Sequence, residues 1–165
     1  MFAPALTARA AALIARYASL GMKIATAESC TGGLVAGLLT EIPGSSAVLE
    51  RGFVTYSNDA KRELLGVPAA TLEAHGAVSE ATARAMAQGA RAHSHAQVAV
   101  SVTGVAGPDG GTASKPVGLV HFACARRGAA TIAREVRFGD IGRANVRLAS
   151  VRVALELLEA AVGSR

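Results

Sequence analysis

The chain of 165 residues is 51% hydrophobic, 18% charged and 4% aromatic, which excludes a disordered chain and suits one domain over residues 1–165. No apolar stretch reaches the roughly 20 residues that a membrane span needs. The net charge of +5 comes mainly from the last 40 residues, where eight Arg face four acids. Because few aromatic side chains are available to stack on bases, this pattern favours a solvated helix over a nucleic-acid surface.

The first half of the chain alternates between predicted helices and strands. Apolar residues recur at helical spacing from Leu6 to Tyr17 and predict a helix over about 4–19, which Gly21 ends. The elements predicted next are a strand at 22–28, a helix at about 31–40, a strand at 48–57, a short helix that Asn58 or Asp59 caps and Gly66 ends, a helical turn at 68–74, and a helix from Ser79 to about His93.

The second half adds three strands and a long helix. AQVAVSVT, at 96–103, predicts a central strand, and the segments 116–125 and 129–138 predict a hairpin around Gly128. The terminal helix is predicted over 140–162. Strands that alternate with helices and then end in one hairpin predict an α/β fold, a three-layer α/β/α sandwich around a mixed, mostly parallel sheet.

The segment TAESCTGG places Ser29 where a strand is predicted to end and a helix to begin. In α/β folds such a residue lies at the carboxyl edge of the sheet, beside unpaired helix N–H groups. Gly32 and Gly33 allow a substrate to approach the backbone closely, and a helix N-terminus favours developing negative charge. One turn can therefore hold a nucleophile and an oxyanion hole, although Ser is also a preferred N-cap residue, which leaves a capping role open.

A serine nucleophile needs a base within hydrogen-bond reach. His93 and His95 lie at a predicted helix end and His121 lies inside a strand, so the sequence indicates no Ser-His-Asp triad and no defined metal site. The segment YSNDAK offers Lys61 as a base if burial lowers its pKa, with Tyr56 as a proton relay. The alternative is a tyrosine at a rim and a solvated lysine.

Two further features suit a ligand without defining one. The loop 103–118 carries five glycines and two prolines but matches neither the P-loop nor the GxGxxG pattern, so it is either a ligand loop or a wide turn. Arg143 and Arg147 are four residues apart and hence share one helix face. Such a pair can bind a phosphate or lie in solvent.

Taken together, five segments closely resemble the C-terminal domain family of the competence/damage-inducible protein CinA. The resemblance covers about residues 5–160. It implies amidohydrolase activity that converts nicotinamide mononucleotide into nicotinate mononucleotide and ammonia, in pyridine nucleotide recycling. The segments are AESCTGG (27–33), GFVTYSNDAK (52–61), HGAVSE (75–80), TGVAGPDGGT (103–112) and KPVGLV (115–120).

The resemblance also implies roles for individual residues. Ser29 is expected to be the nucleophile and Lys61 the general base, with Tyr56 assisting, and neither a metal nor a cofactor is required. Relatives read F-x-G-D-R before the last helix whereas this chain reads FGDIGR, so Arg147 stays the alternative to Arg143 as phosphate ligand. The substrate-binding residues it implies are Cys30, Thr31, Gly32, Gly33, Thr103, Gly104, Ala106, Gly107 and Arg143.

Two other functions stay open. The domain could be a non-catalytic nucleotide- or partner-binding module linked to competence or DNA damage, or its Arg-rich terminal helix could bind nucleic acid with a steep salt dependence. Two cysteines are too few for a disulfide framework, so we expect a cytoplasmic protein. We also expect a homo-oligomer, as is common for small α/β enzymes.

Overall fold

A computed structural model describes residues 2–163 and forms one five-stranded sheet flanked by helices. Periodic apolar residues form the predicted first helix with the predicted bounds. The elements are α1 (Pro4–Ser19), β1 (Ile24–Glu28), α2 (Leu34–Thr40), a 3-10 turn (Ser45–Ala47), β2 (Leu49–Val54), α3 (Asn58–Leu65), α4 (Ala69–His75), α5 (Glu80–Ala92), β3 (Val98–Gly104), β4 (Leu119–Arg126), β5 (Ile132–Arg137) and α6 (Arg143–Val162).

The strands run in the order β2-β1-β3-β4-β5, and the sheet is mixed. β1 pairs in parallel with both β2 and β3, whereas β4 pairs in antiparallel fashion with β3 and β5. Only β4 therefore runs against the other four strands. The carboxyl ends of β2, β1 and β3 consequently lie side by side at one edge, where α/β folds place their ligands.

Alternating residues of the central strands face two different helix layers. Ile24 packs in the apolar cluster that includes α1, α2 and α6, whereas Ala25 packs against α3, α4 and α5. The same alternation continues in β3, where Val98 faces the first layer and Ala99 faces the second. Small residues on the second face let α5 pack closely on the sheet. The predicted three-layer α/β/α fold is confirmed.

Two helices begin three residues later than predicted. The helix predicted from residue 31 begins at Leu34, because Gly32 and Gly33 have φ values of +58° and +96°, which a right-handed helix does not allow. The helix predicted from residue 140 begins at Arg143 for a similar reason, since Gly142 has a φ of +88°. Residues 29–33 consequently form a turn that connects β1 to α2 and belongs to neither element.

The start of α3 differs from the prediction in its cap. Ser57, and not Asn58 or Asp59, is the N-cap, because its Oγ accepts a hydrogen bond from the amide of Ala60 at 3.0 Å. The predicted stop at Gly66 is confirmed by its φ of +65°. This cap fixes the first turn of α3 beside the carboxyl end of β2.

None of the helices within residues 2–163 combines the length and the apolar character that crossing a membrane requires.

Candidate active site

A cavity of about 200 Å³ opens at the carboxyl edge of the three parallel strands. Ser29 follows β1, Tyr56 follows β2, and Gly104 ends β3, so each of these strands delivers one residue to the cavity wall. Parallel strands bring their ends to one edge, which is why residues distant in the sequence meet there. The wall is formed by Ser29, Cys30, Tyr56, Lys61, Ala77, Val78, Thr103, Gly104, Ala106 and Arg143.

Lys61 and Ser29 are in direct contact in this cavity. The Lys61 Nζ lies 3.1 Å from the Ser29 Oγ, and it also lies 3.0 Å from the carbonyl oxygen of Thr55 and 3.4 Å from that of Tyr56. Lys61 is only 1% exposed and Ser29 is 9% exposed. The predicted proximity of amine and hydroxyl is therefore present, and the alternative of a solvated lysine is wrong.

The burial of Lys61 makes its neutral form easier to reach than that of an exposed lysine. Burial lowers the pKa of its amine, and within residues 2–163 no carboxylate lies within 4.0 Å to hold the charge. An ammonium has three N–H donors, which match the three oxygens around Nζ. After one proton is lost, two N–H groups remain for the carbonyls and a lone pair faces Ser29. A proton can therefore pass between the two side chains without rearrangement.

The thiol beside Ser29 is not a competing nucleophile. Cys30 is 5% exposed, and burial raises the pKa of its thiol to about 11. Because the thiolate is the reactive species, this cysteine stays protonated and inert at neutral pH.

The Tyr56 hydroxyl is not placed between Lys61 and Ser29. It accepts a hydrogen bond from the Arg143 Nη2 at 3.0 Å, and only the main-chain oxygen of Tyr56 contacts Lys61. The Arg143 Nη1 in turn donates to the carbonyl of Gly107 at 2.9 Å. Arg143 thus bridges two loops at the cavity mouth. The predicted relay through the Tyr56 hydroxyl lacks a supporting hydrogen bond among residues 2–163.

The first amides of α2 are occupied by a buried carboxylate. Glu28, which is 0% exposed, accepts hydrogen bonds from the amides of Gly33, Val35 and Ala36 at 3.1, 3.0 and 2.9 Å. The N-cap residue of α2 is Gly33, and no side chain at that position accepts a hydrogen bond from a helix amide. Ser29 therefore does not cap this helix. The expected use of this helix start by a substrate oxyanion is therefore wrong, because Glu28 already fills it.

Two other amides of the turn remain available. The amides of Cys30 and Thr31 donate to no other residue within 2–163, whereas the amide of Gly32 donates to the Ser29 carbonyl at 3.0 Å. Gly32 and Gly33, which we expected to bind substrate, thus use their N–H groups within the protein. These two amides belong to the residues that directly follow Ser29 in the chain.

Arg143 and Arg147 are separated by the structure. Arg143 lines the cavity, whereas the Arg147 Nε and Nη2 donate to the carbonyls of Cys30 and Thr31, both at 3.1 Å. A single helix face therefore supplies one cation to the cavity and one to the backbone of the turn. Of the two arginines, only Arg143 lines the cavity.

The remaining predicted residues lie in and around the wall. The Thr103 Oγ1 donates to the carbonyl of Ala77 at 2.7 Å, which joins the end of β3 to the segment before α5. A side chain at Gly104 would lie within 3.0 Å of Val120, so glycine is required there by close packing. Gly107 lies at the mouth through its contact with Arg143 and not in the wall itself.

Sequence reasoning left Glu28 and the contact of Arg147 without a role. A signal for Glu28 was present, because a helix that starts after two glycines has no side chain of its own to cap it and a carboxylate precedes them. No local signal predicts the contact of Arg147, since it depends on how α6 packs on the turn. Within residues 2–163 no three His, Cys, Asp or Glu side chains gather as a metal site would require.

These features define an α/β domain with a buried Ser–Lys pair at the carboxyl edge of its sheet. A model of the CinA C-terminal domain matches residues 6–162, and the chain belongs to this family. It is 54% identical over 91% of its length to a CinA-like protein of Anaeromyxobacter dehalogenans, and 52% identical over 86% to one of Mycolicibacterium vanbaalenii. The chain spans about a third of these curated relatives, 36% and 33%.

Solved structures share the whole fold. The competence/damage inducible protein CihA from Agrobacterium tumefaciens is 56% identical, with a TM-score of 0.94 over 96% of both chains. A CinA superfamily protein from Escherichia coli is 34% identical, with a TM-score of 0.88 over 96% of this chain and 92% of the other. The resemblance expected from the sequence motifs is thereby confirmed.

Proposed function

We propose that this domain is an amidohydrolase that converts nicotinamide mononucleotide and water into nicotinate mononucleotide and ammonia through a serine acyl-enzyme. The observation that carries the proposal is the 3.1 Å contact between the buried Lys61 amine and the Ser29 hydroxyl. A serine becomes a competent nucleophile only when a base can take its proton, and an uncharged amine with a free lone pair is such a base.

The first half of the reaction forms the acyl-enzyme. Neutral Lys61 takes the proton of Ser29, and the Ser29 oxygen attacks the carboxamide carbon of the substrate. The negative charge that develops on the carbonyl oxygen is stabilised by the amides of Cys30 and Thr31, which donate to no other residue within 2–163. The Lys61 ammonium then returns its proton to the leaving nitrogen, the C–N bond breaks, and ammonia departs.

The second half restores the enzyme. Lys61, neutral again, takes a proton from a water molecule that attacks the ester carbon of the acyl-enzyme. The ester bond breaks and the Lys61 ammonium gives the proton back to Ser29, which releases the carboxylic acid, and this acid then loses its proton to solvent. Since two backbone carbonyls hold the amine at 3.0 and 3.4 Å, it stays in place through both halves of the reaction.

Cavity size and charge support the proposed substrate. A cavity of about 200 Å³ is smaller than the roughly 300–1,000 Å³ that encloses a whole drug-sized ligand. It suits the planar carboxamide-bearing ring, while the remainder of a mononucleotide extends past the mouth. Arg143 lies at that mouth and offers a guanidinium to the phosphate.

The test is the release of ammonia from nicotinamide mononucleotide by the wild type and by Ser29→Ala. Ser45→Ala is a matched control, because Ser45 is 8% exposed and lies outside the cavity wall. We expect Ser29→Ala to abolish turnover and Ser45→Ala to retain it. An acyl-enzyme should also appear by intact mass when the wild type is quenched during turnover.

The proposal is refuted if Ser29→Ala turns over as fast as the wild type. Binding of the mononucleotide without ammonia release by the wild type would instead support the non-catalytic nucleotide-binding module.

A further inference from the structure

We infer that Arg147 is a positioning residue that orients the amide donors beside Ser29. The inference rests on the proposed function, because those donors matter only if an oxyanion forms there. Arg147 lies on α6, one helical turn after Arg143, and its side chain is absent from the cavity wall. It acts on the reaction through the backbone of the turn.

The guanidinium of Arg147 holds two consecutive peptide groups at once. Its Nε donates to the Cys30 carbonyl and its Nη2 donates to the Thr31 carbonyl, each at 3.1 Å. These are charge-assisted hydrogen bonds, made by a rigid planar donor with fixed geometry. The carbonyl of Thr31 also accepts from the amide of Leu34 at 3.2 Å, which ties the same peptide group to α2.

Because a trans peptide unit is planar, fixing its carbonyl also fixes the direction of the N–H group on its opposite side. In each planar peptide unit the C=O of one residue and the N–H of the next point in opposite directions. The bond from Arg147 to the Cys30 carbonyl therefore directs the Thr31 N–H away from the guanidinium. Its bond to the Thr31 carbonyl fixes the Gly32 N–H in the same way.

The second of these peptide groups sets the orientation of the remaining donor. The Gly32 amide donates to the Ser29 carbonyl at 3.0 Å, and that carbonyl shares its peptide unit with the Cys30 N–H. Arg147 thus controls the Thr31 donor directly and the Cys30 donor through Gly32. Neither amide has an acceptor in another residue within 2–163, and the Cys30 amide faces its own thiol.

Gly32 lies beside the Arg147 guanidinium in the turn. A Cβ placed on Gly32 would lie 3.4 Å from the Arg147 Nη2, and Gly32 has a φ of +58°. Glycine at this position allows the left-handed backbone, and a Cβ there would be in ordinary van der Waals contact with the guanidinium.

The experiment compares Arg147→Lys, Arg147→Ala and the control Arg152→Lys. Lysine keeps the positive charge but lacks the planar guanidinium that donates two hydrogen bonds at once. Arg152 is an exposed arginine of the same helix with no hydrogen bond or ion pair to another residue within 2–163. The measurements are kcat and KM for nicotinamide mononucleotide, the unfolding midpoint in urea, and amide hydrogen exchange of residues 29–34. Guanidinium chloride, at concentrations too low to unfold the protein, is added to Arg147→Ala, with sodium chloride as the ionic control.

We expect Arg147→Lys to lower kcat by about 10–100-fold, since loss of an entire oxyanion donor costs about 100–1,000-fold. KM should change by less than about threefold, because the substrate does not touch Arg147. Exchange of residues 29–34 should accelerate about tenfold or more, as two charge-assisted hydrogen bonds are lost. Guanidinium, and not sodium, should restore part of the turnover rate of Arg147→Ala.

Three results overturn the inference: a kcat no lower than that of Arg152→Lys, a raised KM at unchanged kcat, or unaltered exchange at residues 29–34. A failure of the proposed function is visible separately, as an absence of ammonia release by the wild type. In that case the exchange comparison still decides whether Arg147 holds the turn.

Discussion

Replacing Lys61 with methionine should change the stability of the protein in a pH-dependent way. Methionine has a similar length and no charge, so it removes the buried amine while keeping most of the packing. Lys61 is 1% exposed, and burial lowers the pKa of its amine from 10.5. Burial of the protonated amine therefore lowers the free energy of unfolding of the wild type, by an amount that depends on its protonation. The variant has no such dependence.

The sign follows from proton binding in the two states. Between the lowered pKa of the folded protein and the pKa of about 10.4 for an unfolded lysine, the unfolded chain binds more protons. The free energy of unfolding of the wild type consequently rises with pH in this window, by up to about 1.4 kcal/mol per pH unit for one group. At pH values below the pKa of the folded protein, the full free-energy cost of burying the charged amine is present. Above a pH of about 10.4, the free energy of unfolding no longer depends on the titration of this group.

The assay is urea unfolding of the wild type and Lys61→Met at several pH values from neutrality up to the unfolded-lysine pKa of about 10.4. The stability advantage of Lys61→Met should shrink as the pH rises, whereas Lys23→Met controls for the loss of an exposed lysine. The kcat/KM of the wild type should rise with pH and level off above an apparent pKa below 10.5, because only the neutral amine is a base. A constant stability difference across this range would refute the neutral-lysine reasoning.

Three further substitutions test other parts of the site. Tyr56→Phe should raise KM and leave the turnover rate within about threefold of the wild type in steady-state assays, because its hydroxyl contacts Arg143 and not Lys61. A turnover rate about 100-fold lower would instead support a proton relay through the Tyr56 hydroxyl. Gly32→Ala should cost about 1–2 kcal/mol in urea unfolding and slow turnover, whereas Gly21→Ala, also at positive φ but with no neighbour within 4 Å, should cost stability alone. Glu28→Gln should lower the free energy of unfolding by about 1–3 kcal/mol, since three amides of α2 lose a charged acceptor; an unchanged value would contradict its capping role.

The elements of the fold were predictable because their signals are local. Spacing of apolar residues predicts α1 with its observed bounds, and Gly66 ends α3 as expected. The two late helix starts fall where glycines precede a helix, since sequence alone does not reveal which glycines adopt positive φ. Gly33 and Gly142 do so, and each delays its helix to the next residue.

The site was predictable only as far as its residues lie at element ends. Ser29 comes directly after a strand, and Lys61 lies in the first turn of a helix whose cap fixes its start. The side-chain direction of Lys61 depends on how α3 packs against α5, which no local pattern encodes. For the same reason, a spacing of four places Arg143 and Arg147 on one face but does not distinguish the cavity from the turn.

The arrangement of charges explains why a lysine without a carboxylate partner is retained in the interior. Glu28 and Ser29 are adjacent, but neighbouring residues at a strand end point to opposite faces of the sheet, so the carboxylate reaches α2 while the hydroxyl reaches Lys61. A carboxylate beside Lys61 would stabilise its charged form and remove the base. Glu28 thus binds helix amides and Arg147 binds backbone carbonyls, whereas the Lys61 amine contacts only uncharged oxygens, as the proposed base requires.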